Sequence, residues 1–161
     1  MADETNPAPL HVHDGTVRPD WIDGSGHMYA AYYVVAFGEA NDAVLDMLGL
    51  GDRYREQTRS APFLLEMHTT YLREMRDGAG FKVTFQLLQY DQRRLRYFLY
   101  MHHADDGHLV ATVETAIIHV DLATRKSSDL PDSVLAKLGE IHESHKDLAF
   151  PPQAGRGISL S

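Results

Sequence analysis

Apolar positions along the chain keep two different rhythms. From about Met28 to Leu48 the first half, "MYAAYYVVAF", is apolar at every position, and polar residues enter only after Gly38, at Glu39, Asn41, Asp42 and Asp46. That pattern predicts a long helix surrounded by protein over its first turns and stopped by Gly49. Upstream, "HVHDGTVRP" reads as a first strand closed by Pro19. Downstream, "DRYREQTRS" reads as a short polar helix ended by Pro62. The stretches "FLLEMHTTYLREM", "FKVTFQLLQYD", "RRLRYFLYMHHA" and "HLVATVETAIIHVD" then read as strands. Turn signals at Asp77-Gly78, Asp91-Gln92 and "ADDGH" join them, so the pairing should be largely antiparallel. A closing amphipathic helix is expected from about Asp132 to Lys146. The order predicts an α+β fold, one antiparallel sheet wrapped around a central helix.

Composition narrows the setting. A length of 161 residues suits one domain with its own core, with a loose arm at 1–9 and a loose tail at 150–161. The formal charge of −8 argues against nucleic acid or anionic lipid as a partner. No apolar run reaches the length of a membrane span, the first residues lack the pattern of a signal peptide, and there is no cysteine; a cytoplasmic location is the expectation. The ten histidines show no metal-ligand spacing, so no metal is expected.

The chemistry concentrates in the elbow before the long helix, "WIDGSGHMYAAYYVVAF". Gly24 and Gly26 permit positive φ and close backbone approach, and Ser25 is a candidate N-cap. Free N–H groups near Gly26, His27 and Met28 would then face an anion, including an oxyanion that develops during acyl transfer. Asp23, just upstream, suits a general base or a nucleophile, although an Asx-Gly turn is the plainer use of the same residues.

The run Val17-Arg18-Pro19, Trp21-Ile22-Asp23, Gly26-His27-Met28 and Tyr33 resembles the opening of the 4-hydroxybenzoyl-CoA-thioesterase-like hotdog family, whose loop before the helix reads roughly D-x-x-G-H-x-N. The later stretches "EMHTTYL" and "RRLRYFLYMHHADDGHLVATVETAIIHVD" extend the likeness over most of residues 12 to 128, and the arrangement is most similar to the betainyl-CoA thioesterases of carnitine breakdown. The resemblance implies a hotdog fold, thioester hydrolysis without a cofactor, an acyl-CoA substrate and a homodimer or higher oligomer, with a functional link to carnitine dehydrogenase. It implies Asp23 as the catalytic acid and the Gly26-His27 backbone as the group that polarises the carbonyl. Tyr29 departs from the pattern, where asparagine is frequent, and points to a different acyl pocket.

Further candidates surround this core. Trp21, Tyr29 and Tyr33, with Met28 between them, are expected near the acyl group, where aromatic faces would suit a trimethylammonium. Glu66 and His68 share a strand face by the two-residue period, and could orient substrate or water. Arg94 is the preferred contact for a coenzyme A phosphate. Two other readings stay open: a hotdog enoyl-CoA hydratase or dehydratase, and a non-catalytic acyl-CoA or small-ligand binder.

Overall fold

A computed structural model describes residues 8–160. Five long strands, β1 (Leu10–Thr16), β2 (Ser60–Tyr71), β3 (Gly80–Tyr90), β4 (Arg94–His103) and β5 (Leu109–Asp121), form one antiparallel sheet in the order β1-β3-β4-β5-β2. The two-residue strand β6 (Lys126–Ser127) extends the far end of β5. Three helices, α1 (Ala30–Leu48), α2 (Asp52–Thr58) and α3 (Asp132–His145), complete the fold. This is the hotdog architecture.

Helix α1 lies in the sheet because one of its faces demands it. Tyr33, Ala36, Phe37, Ala40, Val44 and Leu48 recur at helical spacing, and all are buried against Val83, Phe85, Leu99, Val113 and their neighbours. Gly49 ends the helix at φ 78°, a left-handed cap that glycine adopts without strain. The buried Tyr97 hydroxyl donates to Asn41 Oδ1, so the helix's first interior polar residue is satisfied. Helix α3 docks by Val134, Leu138 and Ile141, and at its end His145 Nδ1 accepts the Leu87 N–H at 3.0 Å, beside the bulge in β3.

Several boundaries differ from the sequence pattern. The helix starts at Ala30 rather than Met28, because Met28 N–H donates to Met75 O at 2.8 Å and Met28 bridges to Ile22 in extended conformation. Its first half is not enclosed: Val34 and Val35 are exposed, since the sheet covers only one side. Strand β2 begins before Pro62, which an edge strand tolerates, and stops at Tyr71 rather than running to Met75. The expected arm at 1–9 falls mostly on residues outside those described. The tail from 150 is not loose throughout: Pro151 and Ala154 are buried, Phe150 lies under the Arg96 guanidinium, and Gly155 N–H donates to Glu114 at 2.6 Å.

Candidate active site

Between β1 and α1 the chain makes a single 3-10 turn at Pro19–Trp21 and then a tight loop. Asp23 N–H donates to His27 O, and Gly26 N–H donates back to Asp23 O, both at 3.0 Å. Gly26 sits at φ 84°, a conformation most side chains resist, so this glycine closes the loop. The loop therefore uses up the Gly26 N–H, while Met28 N–H is spent on Met75. These two, with the His27 N–H, were the expected oxyanion donors, and in this structure both already hold backbone partners. Ser25 does not cap the helix either, because Tyr29 occupies the N-cap position without a side-chain bond.

Free donors do exist one turn later. Tyr32 N–H turns back to Tyr29 O at 2.9 Å, but helix geometry leaves the Ala30 and Ala31 N–H groups without an intrahelical partner. Ala30 lines an open cleft of about 490 Å³ together with Asp23, His27 and Met28. The start of a 19-residue helix thus presents its partial positive charge to the space beside a carboxylate.

Asp23 is exposed, and its Oδ1 accepts both the Ser25 N–H at 2.8 Å and the Ser25 hydroxyl. The Ser25 hydroxyl first, then its N–H, hold the Asp23 carboxyl below the usual carboxylate range, and His27 adds to the effect. The group is therefore ionised over a wide pH range. On the other side of the loop, His27 Nε2 meets Glu74 at 2.8 Å.

The far wall is aromatic. Tyr71, at the end of β2, donates its hydroxyl to Ala30 O at 3.0 Å and meets the Tyr33 ring edge-on at 5.2 Å. Burial raises the pKa of both phenols. Tyr29 is 52 % exposed at the mouth. Trp21 is placed differently from expectation: it is 3 % exposed, stacked on Tyr32 at 5.6 Å, and absent from the cleft lining. Its indole faces the core because the 3-10 turn rolls it under the helix.

Glu66, His68 and Arg94 do not join Asp23 within one chain. A bulge at Leu64–Glu66 breaks the simple alternation of β2, and Glu66 and His68 line a separate cavity with Arg96, Glu114 and Gly155. Arg94 is already paired with Asp91 at 2.6 Å. Conversely, Tyr71, Arg73 and Glu74 line the cleft, though sequence pattern placed them inside a continuous strand. Only the Asp77-Gly78 turn hinted that the chain leaves the sheet nearby.

With this geometry, comparison with known proteins is decisive about family. The model of the Thioesterase-like superfamily matches residues 17–138. The chain belongs to that superfamily. It is a thioester hydrolase. A betainyl-CoA thioesterase of Pseudomonas aeruginosa is 34% identical over 155 residues, covering 94% of this chain and 95% of that protein. An L-carnitine dehydrogenase/betainyl-CoA thioesterase of Rhizobium meliloti is 37% identical over 150 residues, 93% of this chain but only 30% of that longer protein. Among solved structures, a Staphylococcus aureus protein in complex with CoA superposes with a TM-score of 0.88 at 30% identity, over 95% of this chain and 97% of that one.

Proposed function

We propose that this chain hydrolyses a small acyl-CoA thioester, with betainyl-CoA the favoured substrate. The observation that carries the reading is the meeting of an ionised Asp23 and the helix-end Ala30 at one cleft walled by tyrosines. The carbonyl oxygen rests on the helix-end donors, which strengthen their hold as it becomes an oxyanion. Asp23 either takes a proton from a water that attacks the carbonyl carbon, or attacks it itself to form a mixed anhydride that water then hydrolyses. In both routes the C–S bond breaks and coenzyme A leaves as the thiolate. The betainyl-CoA thioesterase matched over 94% of this chain supports the substrate, and the relative that joins it to L-carnitine dehydrogenase supports a link to carnitine oxidation.

The tyrosines supply a reason for the substrate that does not depend on names. In betainyl-CoA the quaternary nitrogen is one methylene from the scissile carbonyl, so it must lie close to the helix start. Tyr71, bonded to Ala30 O, and the exposed Tyr29 offer aromatic surface at that place. The comparison that tests this sets betainyl-CoA against the 3,3-dimethylbutanoyl thioester, in which carbon replaces nitrogen at nearly the same shape. A desolvated cation–π contact is worth up to about 2 kcal/mol, or roughly thirtyfold in affinity. With each rate scaled by uncatalysed hydrolysis, the charged ester should be preferred, and Tyr71→Leu should shrink that preference. Equal scaled kcat/KM for the two esters in the wild type would point to a general short-chain acyl-CoA thioesterase.

A homodimer belongs to the same proposal. Strand β2 is an open edge with Leu64 57 % exposed and Leu65 beside it, and the uncovered face of α1 shows Val34 and Val35. The Tyr71–Ala30 bond joins the end of β2 to the start of α1, where Tyr71 and Leu72 are exposed as well. Light scattering should give twice the mass of one chain, or a multiple of that. A single-chain mass at assay concentration would overturn the proposal.

A further inference from the structure

We propose that Glu74, His27 and Ser25 form a chain of positioning residues that fixes the Asp23 carboxylate. This rests on Asp23 being the reacting group. The chain is continuous in space: Glu74 Oε2 lies 2.8 Å from His27 Nε2, His27 Nδ1 lies 3.4 Å from Ser25 Oγ, and Ser25 Oγ bonds Asp23 Oδ1. No stretch of sequence foreshadows it, because Glu74 arrives from the turn after β2. Backbone bonds hold that turn in place, with Met28 N–H on Met75 O at 2.8 Å and the Leu72 and Arg73 N–H groups on Val110 O.

Proton accounting gives the chain its sense. The Asp23 carboxylate only accepts, so the single Ser25 hydroxyl proton is committed to it. Ser25 Oγ then offers His27 Nδ1 nothing but lone pairs. The Glu74 carboxylate likewise offers only lone pairs to Nε2. Both ring nitrogens thus face acceptors, and every bond in the chain is made only when His27 is the imidazolium. The complete chain clamps Oδ1 of Asp23 and leaves Oδ2 for water or the carbonyl carbon. Arg76, 3.4 Å from Glu74, along with Arg73 of the same turn and the phenols of Tyr29, Tyr33 and Tyr71, are the other titratable or charged groups at this cleft.

The His27–Glu74 pair is partly exposed, so it should matter little to stability. The effect of the chain should appear in kcat and in the pH profile. Asp23 works as a carboxylate, and the Ser25 hydroxyl and N–H favour that form. Removing the Ser25 hydroxyl raises the pH at which Asp23 gains its proton, so the acid limb of kcat/KM moves to higher pH.

The experiment combines kinetics with NMR of the His27 ring. Glu74→Gln and Ser25→Ala should each lower kcat about tenfold, a fraction of the ~10²–10⁴ that a general base contributes, and Ser25→Ala should also shift the acid limb upward. KM should change little, and Glu74→Asp should restore part of the loss. Nitrogen-15 spectra should show the His27 Nε2 resonance move in Glu74→Gln and the Nδ1 resonance move in Ser25→Ala. An acid limb unchanged in Ser25→Ala, or His27 ring resonances unchanged in both variants, would overturn the chain. A wild type that hydrolyses no thioester would refute the functional reading instead, and the spectra would still decide the chain.

Discussion

Asp23→Asn is expected to lower kcat by roughly 10²–10⁴-fold, the span typical of a positioned acid–base group, while leaving KM near its wild-type value. The asparagine fills nearly the same volume, and its carbonyl oxygen can still accept the Ser25 N–H that now reaches Oδ1 at 2.8 Å. Asp23 is exposed and makes no packing contact that the change would remove, so the fold should persist. Substrate should still bind, because the proposed carbonyl site is the helix end at Ala30 rather than the carboxylate. In the wild type the acid limb should lie below the ordinary aspartate range, since Ser25 and then His27 lower the Asp23 pKa. Hydrolysis at wild-type rates by a variant shown folded by circular dichroism would reduce Asp23 to a turn residue.

Phe37→Ala should have the largest effect on stability. The ring is 1 % exposed on the buried face of α1, between Ala36 and Ala40 and over the inner face of the sheet. Truncating a buried phenylalanine costs about 3–5 kcal/mol, because the cavity left behind collapses only in part. For a domain of this size each kcal/mol lowers Tm by roughly 2–4 °C, so a fall on the order of ten degrees follows. A loss below about 1 kcal/mol in urea denaturation would mean that α1 does not dock through this face.

The long-period pattern made the sheet and its central helix legible, since burial on one helical face leaves a trace in the order of residues. Asp23 was legible for a related reason: a carboxylate flanked by glycines, just before a helix, is a local arrangement. What surrounds it was not local. Met28 and Tyr29 belong to an apolar run, yet Met28 is extended because Met75 supplies a hydrogen bond from far downstream. That one bond moves the helix start to Ala30, and the free N–H groups of the helix end move with it. Trp21 and Tyr29 look alike in an aromatic cluster, but the turn between them sends one ring into the core and the other to solvent. Tyr71 and Glu74 reach the cleft only through the path of β2, which no periodicity in their own segment reveals. His68 follows the opposite course, because a bulge and the C-terminal tail give it different neighbours.

Strand β2 has two roles at once: its outer edge is unpaired, and its last residue, Tyr71, forms the wall of the cleft. In a pair of chains joined along that edge, association and acyl recognition become thermodynamically reciprocal. Whatever factor pairing contributes to substrate affinity, bound substrate must return to the pairing equilibrium. Substrate would then act as an assembly ligand, drawing dilute chains together as the cleft fills.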